Sequence, residues 1–252
     1  MPINYSRRLA GKDRSTPYNR QLGTILAFVA GATNAGGFLA VHQYVSHMTG
    51  IVSSIADQLA LGWFGAALSG LGILCSFLLG AICSSLMINY SRRHALHGEY
   101  ALPLLLEALL LLCFGLAGAR LNHVDGEFVS FTILLLSFIM GLQNAVITKL
   151  SMSEIRTTHV TGIVTDIGIE ISRMLYWNKA HLEHMPDVAA NLPRLKVLTS
   201  LLLSFTVGGI IGALGFKHVG YFSTVPLALT LMLLVIAPIA DDFQRLLGKR
   251  TS

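Results

Sequence analysis

Long apolar runs separated by short polar stretches recur along the whole chain, at about 22–42, 66–88, 102–119, 129–149, 197–216 and 222–240. A helix needs about 20 mostly apolar residues to cross a hydrocarbon core roughly 30 Å thick, and each run is close to that length. Two shorter segments, about 50–63 and 161–175, read as helical but carry Asp57 in one and Asp166, Glu170 and Arg173 in the other. They are the odd members of the set.

Composition places these runs in a bilayer. Of the 252 residues 53% are hydrophobic and 12% charged, about half the charged share of an ordinary soluble domain, too little polar surface to cover a soluble fold. The length accommodates about six to eight spans and no soluble appendage. Cys75, Cys83 and Cys113 all lie in apolar stretches and read as buried thiols rather than a disulfide framework. The net charge of +5 does not point to nucleic acid, because the basic residues flank apolar segments instead of forming a patch with aromatics. Ser6-Arg7-Arg8 resembles a twin-arginine signal only faintly, and the apolar run behind it has no convincing cleavage site, so the first span is expected to be retained.

Comparison of the chain with itself is more informative. His47-Met48-Thr49-Gly50-Ile51-Val52-Ser53-Ser54-Ile55 matches His159-Val160-Thr161-Gly162-Ile163-Val164-Thr165-Asp166-Ile167. Upstream, Thr33-Asn34-Ala35 matches Gln143-Asn144-Ala145, with Gly31 and Gly141 ahead of them. Downstream, Ser76-Phe77 with Gly80 matches Ser204-Phe205 with Gly208, and Pro103 matches Pro226. The order is the same in both halves, which predicts an internal duplication.

Charge then sets topology, since short cytoplasmic loops carry an excess of Lys and Arg. If the two H-x-T-G segments dip into the membrane without crossing it, only Arg120 and Lys217 of the 18 basic residues lie outside. If both segments cross, giving eight spans and parallel repeats, Arg92, Arg93, Lys149, Arg156 and Lys217 move outside, a weaker split. The expected fold is therefore all-α integral membrane: two inverted repeats of three spans, each with one short re-entrant half-helix. The divisions are a cytoplasmic basic arm 1–21, repeat 1 at 22–119, an extracytoplasmic linker 120–128, repeat 2 at 129–240 and a cytoplasmic tail 241–252. An odd number of spans per repeat turns the halves over with respect to one another, an arrangement common among secondary transporters.

A Thr-Gly step at the start of a short helix offers free backbone N–H groups and a positive helix end. Two such ends meeting near the midplane from opposite sides would suit an anion or a carboxylate. Thr49 and Thr161 would supply hydroxyls, Gly50 and Gly162 close backbone approach, and His47 and His159 a titratable donor. The plainer alternative is that small residues let helices pack closely in membranes; repetition of His and Thr together favours function. Asn34 and Asn144 are read as lining the site. Gln143 fits that role and interhelical glue, worth roughly 0.6 kcal/mol, equally well.

Glu107 is the acid deepest inside an apolar run, and an intramembrane carboxylate is a functional candidate by default. Proton coupling and a protonated packing role are both open for it, and Asp166 is a weaker proton-coupling candidate. His181-Leu182-Glu183-His184 lies in a polar loop without a third ligand in register, and reads as solvated loop. Motifs for zinc hydrolysis, nucleophilic serine or phosphate binding are absent from the sequence. No enzyme activity, cofactor or metal is expected.

The segments Gly31-Ala32-Thr33-Asn34-Ala35-Gly36-Gly37-Phe38, Ser46-His47-Met48-Thr49-Gly50, Met140-Gly141-Leu142-Gln143-Asn144-Ala145 and Arg156-Thr157-Thr158-His159-Val160-Thr161-Gly162 resemble the YoaK-like family of bacterial membrane proteins, a group of unknown function. The resemblance spans nearly the whole chain. It implies membrane location and little about chemistry. Asn34 stands where the family pattern commonly has Asp, and Ile51 where an Asn commonly follows the first Thr-Gly; if the family couples transport to a cation through that acid, this member is expected to differ in coupling or substrate.

The expected function is a small-molecule transporter in a bacterial inner membrane, N-terminus cytoplasmic. It would take an anionic or zwitterionic solute between the two H-x-T-G ends. A passive channel, or a membrane-embedded sensor or enzyme, are the alternatives. Expected partners are membrane lipid and the solute, not nucleic acid, with room for a homo-oligomer.

Overall fold

The computed structural model describes residues 16–118, 126–150, 159–177 and 187–248, with backbone alone for 16–17, 117, 126–129 and 245–248. Most of the N-terminal arm, residues 120–125 of the linker, Arg156 to Thr158, the His181–His184 loop and the last four residues of the tail lie outside the described residues. The described chain is helical: α1 Thr16–Val41, α2 Met48–Ala60, α3 Phe64–Arg93, α4 Ala101–Gly118, α5 Gly126–Leu150, α6 Val160–Leu175, α7 Leu192–Val219, a 3-10 turn Gly220–Ser223, and α8 Thr224–Gly248. No strand occurs among the described residues.

Local chemistry explains several boundaries. The side chain of Asn191 accepts a hydrogen bond from the Arg194 backbone N–H at 3.0 Å, and Pro193 follows in the first turn of α7, where a missing N–H costs nothing. Pro103 and Pro226 occupy the same early position in α4 and α8. Gly62, at φ +76°, turns the chain from α2 into α3, and Gly220, at φ +66°, ends α7; only glycine enters that region without strain.

Four apolar stretches are long enough to cross a membrane: Tyr18–Val41, Phe64–Arg93, Ser130–Leu150 and Leu192–Gln244, the last holding both α7 and α8. Helix α4 adds a shorter apolar segment, Ala101–Leu116. At 1.5 Å per residue α2 and α6 are only about 20–24 Å long, short of the hydrocarbon thickness. Large apolar side chains point outward along the long helices, among them Leu68, Leu79 and Leu86 on α3, Leu203, Ile210 and Leu214 on α7, and Leu233 and Ile236 on α8. Such continuous apolar surface belongs against lipid. The thiols follow this logic: Cys75 and Cys113 are exposed on the outer surface and Cys83 is half-buried, all three free. The expectation of buried thiols is corrected, because in lipid an apolar face need not turn inward.

The helices pair out of sequence order. α1 packs chiefly on α7, α3 on α5, and α4 on α8, with α1 touching α5. Leu26, Leu104, Leu111, Leu136, Ile139 and Met140 fill the core where α1, α4 and α5 meet. The α1–α7 and α3–α5 contacts are one arrangement made twice. A Cβ on Gly31 would strike the Phe205 carbonyl and one on Gly208 the Phe28 carbonyl; a Cβ on Gly141 would strike the Phe77 carbonyl and one on Gly80 the Phe138 carbonyl. Ser204 Oγ donates to the Thr24 carbonyl at 2.8 Å and Ser76 Oγ to the Leu134 carbonyl at 2.7 Å. Association in lipid depends on such close packing and interhelical hydrogen bonds.

Residue order in these contacts gives direction. Along α1 and α7 the contacting positions rise together, from Thr24 with Ser204 to Gly36 with Phe216, so the two are parallel; α3 and α5 are parallel likewise. Gln143 meets Leu26 while Leu136 meets Gly37, so α1 and α5 are antiparallel. Leu111 meets Thr224 and Gly98 meets Asp242, so α4 and α8 are antiparallel too. One end of the bundle therefore collects Arg20, Arg92, Arg93, Lys149, Arg173, Arg194 and Lys196, and the other carries Lys217. Trp63, at the α2–α3 turn, and Trp177, after α6, are both strongly exposed at opposite ends, as interfacial aromatics are.

Candidate functional site

Helix α2 starts low against α1. The side-chain oxygen of Asn34 accepts from Ser46 Oγ at 2.9 Å and from the Ser46 N–H at 3.3 Å. Asn34 lies seven residues before the end of α1, about 10 Å back along its axis. The chain thus leaves α1, folds back to the level of Asn34, and only then enters α2. His47 is the N-cap, with φ −90° and ψ 67°, and its ring lies over Gly50, where a Cβ would come 2.6 Å from Nδ1. Thr49 is exposed beside it.

Helix α6 begins the same way. His159 is the N-cap at φ −85° and ψ 58°, and its ring so covers Gly162 that a Cβ there would collide with Nδ1. Thr161 is exposed. Neither His makes a side-chain capping bond, and neither helix has an acid in its first turn, so among the described residues no side chain in either cap or first turn offsets the positive helix end. Ile163 anchors the start of α6 against Ala27, Leu198 and Leu201.

The remaining predicted residues divide. Asn144 donates to the Met140 carbonyl within α5 at 2.8 Å. The amide nitrogen of buried Gln143 donates to the Leu26 carbonyl at 3.2 Å while its oxygen is buried without a partner among the described residues, so it ties α5 to α1. Glu107 is 1% exposed in α4, and neither carboxyl oxygen has a partner among the described residues. Asp166 is ion-paired with Arg194 at 3.0 Å. Buried Glu170 bonds Arg173 at 2.9 Å and accepts from the Asn191 N–H at 2.7 Å, so both acids clasp α6 to the start of α7.

The structure therefore brings Asn34, His47, Thr49 and Gly50 together, and separately His159, Thr161 and Gly162. Each short helix packs on the long helix that follows it, and α2 and α6 are not a closely packed pair. Two surface cavities, of about 570 and 520 Å³, are lined by other residues.

Sequence reasoning passed over Ser46, although it immediately precedes His47, and Asp242. The Asp242 carboxylate accepts from the His97 N–H at 2.6 Å and the Gly98 N–H at 3.0 Å, holding the α3–α4 turn to α8. It also passed over Lys149, whose ammonium donates to Asn89 Oδ1 at 2.8 Å and to the Ser85 carbonyl at 3.3 Å. These partners lie about 60 or 145 residues away, and no local pattern marks them.

The family model described as "Protein of unknown function (DUF1275)" matches residues 22–237. The chain is similar to the UPF0700 transmembrane protein YoaK of Bacillus subtilis (strain 168), 26% identical over 224 residues that cover 87% of this chain and 94% of the relative. No solved structure matches it. With its apolar helices, its lipid-facing surface and a match spanning nearly all of the membrane region, the chain is a membrane protein and belongs to the DUF1275 family.

Proposed function

We propose that the protein is a small-molecule transporter, not an enzyme, built as two inverted repeats of three spans and one re-entrant half-helix, with repeat 1 at 22–119 and repeat 2 at 129–240. The solute is anionic or zwitterionic and is bound at the half-helix N-termini by Thr49 and Thr161, with Asn34 and Asn144 beside them. His47 and His159 tune the local charge, and Glu107 carries a proton.

One observation carries the reading: the H-x-T-G cap is built twice with the same backbone and the same imidazole-over-glycine contact. A packing device needs no such repetition. The antiparallel relation of α1 to α5 and of α4 to α8 supports inversion, and the fold-back at Asn34 supports re-entry. Collection of basic residues at one end supports a cytoplasmic N-terminus in an inner membrane.

Two experiments test it. In a background lacking Cys75, Cys83 and Cys113, cysteines at His94 and Asp187 are expected to label from the cytoplasm and one at His218 from outside; external labelling at His94 removes the inverted arrangement. In proteoliposomes screened with labelled anionic and zwitterionic solutes, flux is expected to saturate and show counterflow. Linear flux without counterflow means a channel.

A further inference from the structure

Both described cavities open at the basic end of the bundle and include none of the H-x-T-G residues in their lining. The one between α1 and α7, about 570 Å³, is lined by Arg20, Leu192, Pro193, Lys196, Val197 and Ser200. Arg20 and Lys196 are exposed, and among the described residues neither forms an ion pair. Their neighbour Arg194, by contrast, is neutralised by Asp166. Leu192 and Pro193 stand at the outer end of this groove and half-buried Val197 beside Lys196, while inward of the two cations the same face of α7 exposes Leu203 and Val207.

This combination has a specific chemistry. A small soluble anion has a use for the cations and none for the apolar wall. A phospholipid has a phosphate for the first and an acyl chain for the second. Basic pockets between spans on the cytoplasmic side suit anionic headgroups, and long basic side chains reach from the helix to the interface. The second cavity, at the same end, repeats the pattern with Arg93 and Asn89 above Leu86, Met87 and Leu102.

We propose that the groove between α1 and α7 holds an anionic phospholipid, its phosphate between Arg20 and Lys196 and an acyl chain running inward past Val197 along Leu203. The site does not depend on the transport reading; it rests on the α1–α7 pairing and on the proposed cytoplasmic placing of the basic end.

The test uses the full chain in nanodiscs of phosphatidylcholine with and without phosphatidylglycerol, followed by native mass spectrometry of retained lipid. Preferential retention of phosphatidylglycerol is expected. The double variant Arg20→Gln with Lys196→Gln should weaken it about thirtyfold, taking each basic side chain near the surface at its usual strength. Lys217→Gln, at the opposite end, should leave it unchanged. The charge-conserving pair Arg20→Lys with Lys196→Arg should retain the lipid and shows that loss in the first pair is not misfolding. Equal retention of the two lipids by the native protein overturns the proposal, as does full retention by the Gln pair. Displacement of phosphatidylglycerol by inorganic phosphate also overturns it, since the site would then be one for a free anion.

Discussion

Ser76 donates its hydroxyl to the carbonyl oxygen of Leu134 at 2.7 Å, across 58 positions of sequence. Just beyond it Gly80 and Gly141 let α3 and α5 approach backbone to backbone, as Gly31 and Gly208 do for α1 and α7 beside the bond from Ser204 to Thr24. The fold rests on these two crossings.

Alanine at Gly80, Gly141, Gly31 or Gly208 must push a helix away from a carbonyl oxygen. Each substitution is expected to destabilise the protein by about 1–3 kcal/mol, the usual range for overpacking. Thermal unfolding in detergent reads this, with Gly168→Ala as the control, since nothing lies within 4 Å of a Cβ there. A control as damaging as Gly141→Ala refutes the crossing argument.

Thr49→Val and Thr161→Val keep side-chain volume and remove an exposed hydroxyl. Each should lower solute flux about tenfold, the worth of one hydrogen bond to a charged group, with the unfolding temperature unchanged. Unaltered flux in both variants removes the solute-binding role.

Gly50→Ala and Gly162→Ala force the His47 and His159 rings off their helix ends. Flux should fall in both, and His47→Ala placed on Gly50→Ala should produce little further loss, since the ring has already been displaced. Fully additive losses indicate that ring and glycine act separately.

Glu107→Gln replaces a carboxyl group whose oxygens have no partner among the described residues. The variant should fold with undiminished stability and lose the dependence of flux on a pH gradient. A large drop in unfolding temperature instead assigns Glu107 to packing.

Asp242→Ala leaves the His97 and Gly98 N–H groups without their acceptor. A loss of about 2 kcal/mol is expected from hydrogen bonds to a charged group. Hydrogen exchange should localise the effect to the start of α4.

The helices were legible because a bilayer imposes length and apolarity on every crossing. The sequence runs at 102–119, 129–149 and 161–175 agree with α4, α5 and α6 to within a few residues. The duplicated caps were legible because His, Thr and Gly recur in one order. Asn34 was assigned to the site on that basis, but its bond to Ser46 was not foreseen, since it depends on the chain folding back after Val41. Asp166 stood out as an acid in an apolar context, and its pairing with Arg194 depends on how α6 meets α7.

By itself, then, the sequence determined that this is a helical membrane protein, where its helices run, that an H-x-T-G segment recurs in each half, and which segments carry positive charge. Those properties follow from composition and local order. Tertiary structure alone decided that α1 pairs with α7 and α3 with α5 instead of with their neighbours, and that α2 begins beside Asn34. In lipid the long spanning helices are apolar on most of their faces, so hydrophobic pattern cannot choose partners. The choice falls to close backbone approach at a few glycines and to hydrogen bonds between residues far apart in the chain.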